Sequence, residues 1–222
     1  MKKIRIAIDG PAGAGKSSVS KLVASKLNYS YVDTGAIYRS LALAAAETDG
    51  ECDSAELAEI INNFNVSFKM IDGVNHVYLN GGDVTNEIRN ERISMLASKI
   101  AKIPFVREAL FRMQRELGEE GGVVMEGRDI GTVIMPDAEL KIYLTATPEH
   151  RAKRRALELE AKGVSFSMEQ LVSEIRDRDR QDMTREVAPL RQADDAVVVD
   201  NSDMNLEETA EKIVQLARER EK

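Results

Sequence analysis

Apolar residues along this chain recur in two rhythms. Short runs at Ile4–Ile8, Tyr29–Val32, Val123–Met125, Leu140–Leu144 and Ala196–Val199 have the length and content of buried parallel strands. Between them the spacing becomes helical. Val19, Leu22, Val23 and Leu27 share one face, Ile93, Leu96, Ile100 and Ile103 form a stripe ended by Pro104, and Val106, Ala109, Leu110, Met113 and Leu117 form another closed by Gly118. Strands alternating with helices predict a three-layer α/β fold. Two segments break the rhythm. From Asn65 to Asn80, two β-prone runs flank Asp72-Gly73, a hairpin signal. From Thr147, "TPEHRAKRRALELEAKG" reads as a helix with Thr147 as N-cap, Pro148 in the first helical position and Gly163 as its stop. A second helix follows in "SFSMEQLVSEIRDRDRQD", where Ser167 and Gln170 have capping-box spacing. No repeat, low-complexity tract or linker is visible, so the expected arrangement is a core with two inserted lobes.

The first run leads directly into chemistry. "IAIDGPAGAGKSS" matches G-x-x-x-x-G-K-[ST] at Gly10, Gly15, Lys16 and Ser17, between a strand and a helix, which is the context this motif requires. Glycines let successive N–H groups curl inward around a phosphate chain, and the helix N-terminus adds partial positive charge. Gly10, Pro11, Ala12, Gly13, Ala14, Gly15, Lys16, Ser17 and Ser18 are therefore expected to bind a nucleoside triphosphate. Lys16 would reach the terminal phosphates and the Ser17 hydroxyl would coordinate magnesium.

Composition narrows the class. The chain has 222 residues, enough for one good core, with 43% apolar and 31% charged residues. Its net charge of −7 disfavours bulk attraction to nucleic acid or an anionic membrane. A single cysteine, Cys52, excludes an internal disulfide and suits a reducing compartment. Cys52, His76 and His150 lie too far apart in sequence for a zinc site, and His76 reads as an ordinary strand residue. The basic start reaches Asp9 before a signal-peptide core accumulates, and no 18-residue apolar run exists, so a cytoplasmic location is expected.

A phosphate-binding loop serves kinases, GTPases and motors alike. The D-x-x-G and N-K-x-D motifs of GTPases are missing, and the third strand ends in Glu126-Gly127-Arg128-Asp129 rather than the Asp-Glu that polarises water in motor-type ATPases. Arginines supply the contrasting signal. Transfer between two phosphorylated molecules must gather phosphates that repel each other, and guanidiniums hold such oxygens through planar, permanently charged contacts. Arg39 follows "DTGAIY", Arg128 lies in "EGRDIG", and Arg176, Arg178, Arg180 and Arg185 form a run. If that run is helical, Arg178, Asp182 and Arg185 share one face. The plainer reading of "RDRDRQD" is a solvated helix face, and of "EGRDIG" a tight turn, although ligands bind at strand C-termini.

"VDTGAIYR", "VREALFRMQR", "EGRDIGTVIMPDA" and "RDRDRQDMTREVAPL", together with the phosphate loop, resemble bacterial cytidylate kinases, the long form of the nucleoside monophosphate kinases, over essentially the whole chain. The resemblance implies a P-loop NTPase fold with a central five-stranded parallel sheet and a helical lid. An inserted monophosphate-binding lobe would carry a small extra antiparallel sheet. The implied division is a core of residues 1–37, 119–147 and 186–222, a lobe at about 38–118, and a lid with its following helix at about 148–185. It implies transfer of the γ-phosphoryl group of ATP to CMP or dCMP with magnesium, by a monomer whose partners are small nucleotides. Lys16, Arg128 and Arg185 would be catalytic. Arg39, Arg128 and Arg185 would clamp phosphate, Ser98, Arg107 and Asp129 would read cytosine, and Arg178 and Asp182 would contact ribose. Thr34 and Tyr38 would line the same pocket, and Arg154 and Arg155 of the lid would meet ATP. Without the resemblance, Ser98 reads as a helix-packing residue and Arg107 as a surface charge. On residues alone, a P-loop kinase of a small metabolite hydroxyl and a non-catalytic nucleotide switch remain alternatives.

Overall fold

The computed structural model describes residues 2–46, 54–71, 74–161 and 163–222, so Cys52 and the Asp72-Gly73 turn lie outside the described residues. The chain forms two compact units, residues 1–32 with 117–222, and residues 33–116.

The first unit contains most of a five-stranded parallel sheet. Its strands are β1 (Arg5–Asp9), β2 (Ser30–Asp33), β6 (Val123–Gly127), β7 (Leu140–Thr145) and β8 (Val197–Asp200), in the order β2-β6-β1-β7-β8. All five expected runs are strands. β1 is central, and Asp9 stands opposite Gly127 on one side and Tyr143 on the other, so the ends of β1, β6 and β7 lie level. Ile4, Ile6, Ile8, Leu140, Ile142 and Leu144 are almost completely buried, with α1 (Lys16–Leu27) and α8 (Leu206–Arg220) adding Val19, Val23, Ile213 and Val214 to the same cluster. α8 begins with a complete capping box, Asn205 and Glu208, that the hydrophobic pattern does not announce.

A helical pair, α6 (Pro148–Ala161) and α7 (Met168–Thr184), belongs to the same unit and packs around Ala152, Ala156 and Leu171. The caps fall where the sequence places them. The Thr147 hydroxyl accepts the His150 amide, the Ser167 hydroxyl accepts the Gln170 amide, and Gly163 ends the first helix at φ +68°. α7 stops at Thr184, and Arg185 is already extended (φ −62°, ψ 141°). The expected shared helical face of Arg178, Asp182 and Arg185 therefore holds for the first two only. The Asp182 carbonyl, which a longer helix would give to the residue four ahead, instead accepts the Leu190 amide at 2.8 Å.

The second unit carries α2 (Thr34–Ala46), α3 (Ser54–Asn62), α4 (Glu91–Ile100) and α5 (Pro104–Glu116) around Ile37, Leu41, Ile88, Val106 and Leu110. Its antiparallel sheet pairs β3 (Val66–Ile71) with β4 (Val74–Leu79) from Val66↔Leu79 to Ile71↔Val74, as the hairpin pattern predicts. A short third strand, β5 (Gly82–Asp83), extends it. His76 of β4 is tied across the sheet to Asp83 at 2.7 Å. Two stripe residues fall outside their helices. Ile103 follows α4 in a turn but still packs on the unit's core, whereas Leu117 lies past α5 and is exposed.

Candidate active site

The phosphate loop occupies residues 10–15 between β1 and α1. A side chain at Gly10 would bring its Cβ within 2.0 Å of the Leu144 carbonyl oxygen on β7, so only glycine lets the loop leave the sheet there. Gly15, the N-cap of α1, is left-handed at φ +85°, which turns the helix start toward the loop interior. Lys16 is 6% exposed and its ammonium donates to the Pro11 carbonyl at 2.8 Å, folding back over the loop. Burial, reinforced by the charge of Arg128, pushes that ammonium down to about 7 despite nearby Glu126, Asp182 and Asp9. Ser17 and Ser18 are exposed on the first turn of α1.

Opposite the loop start, β6 ends in Glu126 and Gly127, then Arg128 and Asp129, and a π-helical turn follows at Ile130–Ile134. Glu126 is buried and receives the Tyr31 hydroxyl. The Arg128 guanidinium donates to Asp182 of α7 at 2.7 Å. Burial raises the Asp182 carboxyl, but Arg128, Arg178 and Arg185 outweigh it and hold it below its usual range. Arg185 donates to the Ala188 carbonyl at 2.5 Å and lies 3.6 Å from the Asp129 carboxylate. The structure thus brings Lys16, Arg128, Asp129, Asp182 and Arg185 together around the ends of β1 and β6. Arg178 is exposed on α7 and reaches this group through its charge on Asp182.

Asp9 belongs to the same group although its pattern in the sequence does not mark it. Its two carboxylate oxygens accept the Ile130 and Gly131 amides at 2.8 and 2.7 Å. Arg151 of α6 is a second unmarked residue. It is 3% exposed, donates to the Ala146 and Ala12 carbonyls at 3.0 Å each, and grips Asp179 of α7 through two bonds of 2.8 and 2.5 Å. Arg154 donates to the Ala14 carbonyl at 3.2 Å and to Asn201, whereas Arg155 forms an exposed pair with Glu158. In the sequence these three arginines look alike. Burial separates them, and composition gives no sign of it.

In the second unit, Thr34 is buried at the start of α2. Arg39 is fixed by Asp33 at 2.9 Å, while its Nε has no hydrogen-bond partner among the described residues. Arg107 is 9% exposed, with its guanidinium 5.8 Å from the Tyr38 ring centre, and is not the surface charge that composition alone predicts. Ser98 is exposed on α4 and so does not pack between helices.

Among the described residues, no cluster of three or more His, Cys, Asp or Glu could hold a metal, and no helix is long and apolar enough to cross a membrane. A parallel sheet with a glycine-rich loop at the end of its central strand, a buried lysine opening the next helix and two arginines nearby defines a P-loop kinase. A shikimate kinase from Bacteroides thetaiotaomicron shares the fold, with a TM-score of 0.52 over 97% of this chain and 98% of that one at 14% identity. The cytidylate kinase family model matches residues 6–219. Cytidylate kinases from Caldicellulosiruptor bescii and Bacillus cereus are 52% and 48% identical, each across 97% of this chain and 96% of the relative. The chain belongs to the cytidylate kinase family.

Proposed function

We propose that this protein transfers the γ-phosphoryl group of ATP to CMP or dCMP, giving ADP and CDP or dCDP. The observation that carries the reading is the paired arrangement Arg128–Asp182 and Arg185–Asp129 beside buried Lys16. Each carboxylate holds an arginine that an incoming phosphate could take over, so the acceptor's charge meets guanidiniums already aimed. An oxygen of the monophosphate attacks the γ-phosphorus as the bond to the bridging β-oxygen breaks. The acceptor is itself an anion, so no strong base is needed, and alignment with charge neutralisation supplies the rate. Lys16 follows the negative charge, Arg128 and Arg185 offset it on the acceptor, and loop residues 10–18 hold the donor through their amides.

Magnesium fits this donor set. The exposed Ser17 hydroxyl on the first turn of α1 offers one oxygen, and nucleotide phosphates supply others, the usual division for this ion. When bound, it neutralises β- and γ-phosphate charge.

Asp129, next to Arg128, is assigned to the cytosine amino group, with Ser98 and Arg107 completing the base contacts. Arg178 and Asp182 are assigned to ribose, and Thr34, Tyr38 and Arg39 to the monophosphate. Arg39's fixed guanidinium with an unpartnered Nε supports its part. The segment around residues 38–118 is assigned to the monophosphate and the helical pair around 148–185 to the lid, in a cytoplasmic monomer. ADP release measured with CMP, dCMP, UMP, AMP and GMP as acceptors tests the reading. CMP and dCMP should far exceed the other three, and equal rates across the panel, or hydrolysis without a diphosphate product, would refute it.

A further inference from the structure

Asp9 is the last residue of β1 and the residue before Gly10, where the donor loop begins. It is 5% exposed. Its two bonds go to the amides that open the π-helical turn Ile130–Ile134. The first amides of any helical turn lack partners within it and are usually met by the residue at the N-cap. Here the N-cap position is Asp129, and its side chain makes no capping bond. Asp9 does that work from the neighbouring strand, and the Asp129 carboxylate is left for other partners, Arg185 among them.

We propose that Asp9 is a positioning residue: by holding the Ile130 and Gly131 amides, it fixes the Arg128–Asp129 segment in register with the phosphate loop. This rests on the assignment of Arg128 and Asp129 to the acceptor nucleotide. Asp9 touches no reacting atom. It joins the strand end that carries the donor to the strand end that carries the acceptor contacts, and misplacement there of a fraction of an ångström disrupts in-line transfer. Only a carboxylate does this with both oxygens, because asparagine would present its NH2 to one of the two amides. Burial raises the Asp9 carboxyl to about 6, Asp129 adds to the rise, and the two amides with Lys16 oppose it. Among the described residues, the charged or titratable groups around it include Lys16 from α1, Asp129 after β6, Tyr143 from β7 and the stem of Lys141, also on β7, which packs against Gly131.

The test has one spectroscopic and one kinetic arm, both on the full chain. In the wild-type protein, the amide resonances of Ile130 and Gly131 should shift together through one inflection near pH 6, and Asp9→Asn should abolish it. Asp9→Asn should also lower kcat/KM for CMP by about ten- to hundredfold while changing the Kd for MgADP by less than about threefold. In an Arg128→Ala background the same change should cost less than about threefold more, because both act through one segment. Ile130 and Gly131 amides that titrate separately from one another in the wild type overturn the anchoring, whatever the variant's folding. Equal loss of MgADP binding, or full multiplication of the two kinetic effects, overturns the positioning role. An Arg128→Ala variant with an unchanged KM for CMP refutes instead the site assignment, while the amide titration still decides the anchoring.

Discussion

Lys16 shows how one residue's environment fixes its behaviour. Burial and Arg128 bring its ammonium down to about 7, so near pH 8 the free protein carries more of it neutral than an exposed lysine would. Phosphates laid along the loop favour the charged form and raise that value. Binding of the ATP analogue AMP-PNP near pH 8 should therefore take up protons, approaching one per site, and the uptake should fade as pH drops below about 6, where the lysine is already charged. Calorimetry in buffers of different ionisation enthalpy reads this directly, and proton release at pH 8 would contradict it. Lys16→Met should abolish transfer without unfolding the chain, as monitored by circular dichroism beside the coupled assay; near-normal turnover would remove Lys16 from the chemistry. Arg128→Ala and Arg185→Ala should each cost the acceptor about 1.5–3 kcal/mol, about ten- to hundredfold in affinity, with much less effect on ATP. Separate titrations of the two nucleotides check this, and equal weakening would count against the assignment.

At the scale of elements, the strands of the parallel sheet were legible because each is a short apolar, β-prone run, and the helices because their stripes keep one face. What the pattern could not show was where a helix yields to another partner. α7 ends before Arg185 because the Asp182 carbonyl is claimed by Leu190, a contact between residues eight apart that no helical periodicity encodes. The short β5 and the π-helical turn are likewise too brief to leave a period. Arg151 was hidden within a charge run, yet it ties α6 to the Ala12 carbonyl of the phosphate loop and to Asp179 of α7. Breaking such a buried pair leaves an uncompensated charge and costs about 3–5 kcal/mol, whereas removing both charges with apolar residues is often neutral. Arg151→Met should thus lower the thermal midpoint substantially, and Arg151→Met with Asp179→Leu should recover most of the loss. A double variant as unstable as the single would show that the bonds to the Ala12 and Ala146 carbonyls, rather than the ion pair, provide the anchor.

For the whole molecule, a net charge of −7 coexists with a site built for anions, because Lys16, Arg128 and Arg185 are concentrated around the ends of two adjacent strands. The site was legible where a motif fixes backbone geometry, as in the phosphate loop. Where a single side chain would decide, as proposed for Ser98, Arg107 and Asp129, no pattern in the residues points to a role, and only the family resemblance suggests one. Asp9 closes an apolar run just before glycine, but nothing in that pattern points to its two amide partners, which lie more than 120 residues away.

In the proposed reaction one segment, Arg128–Asp129, reads acceptor phosphate and base together. An ionised carboxylate accepts hydrogen bonds only, so it suits the amino group of cytosine and opposes the carbonyl oxygen at the same position of uracil. The measurement is kcat/KM for CMP and for UMP, in wild type and Asp129→Ala, at saturating MgATP. Asp129→Ala should cause a large loss on CMP and a much smaller one on UMP, narrowing their ratio by about 1–3 kcal/mol, or about five- to hundredfold. An equal loss on both nucleotides would contradict it, placing Asp129 in the chemistry or the fold and base selection elsewhere.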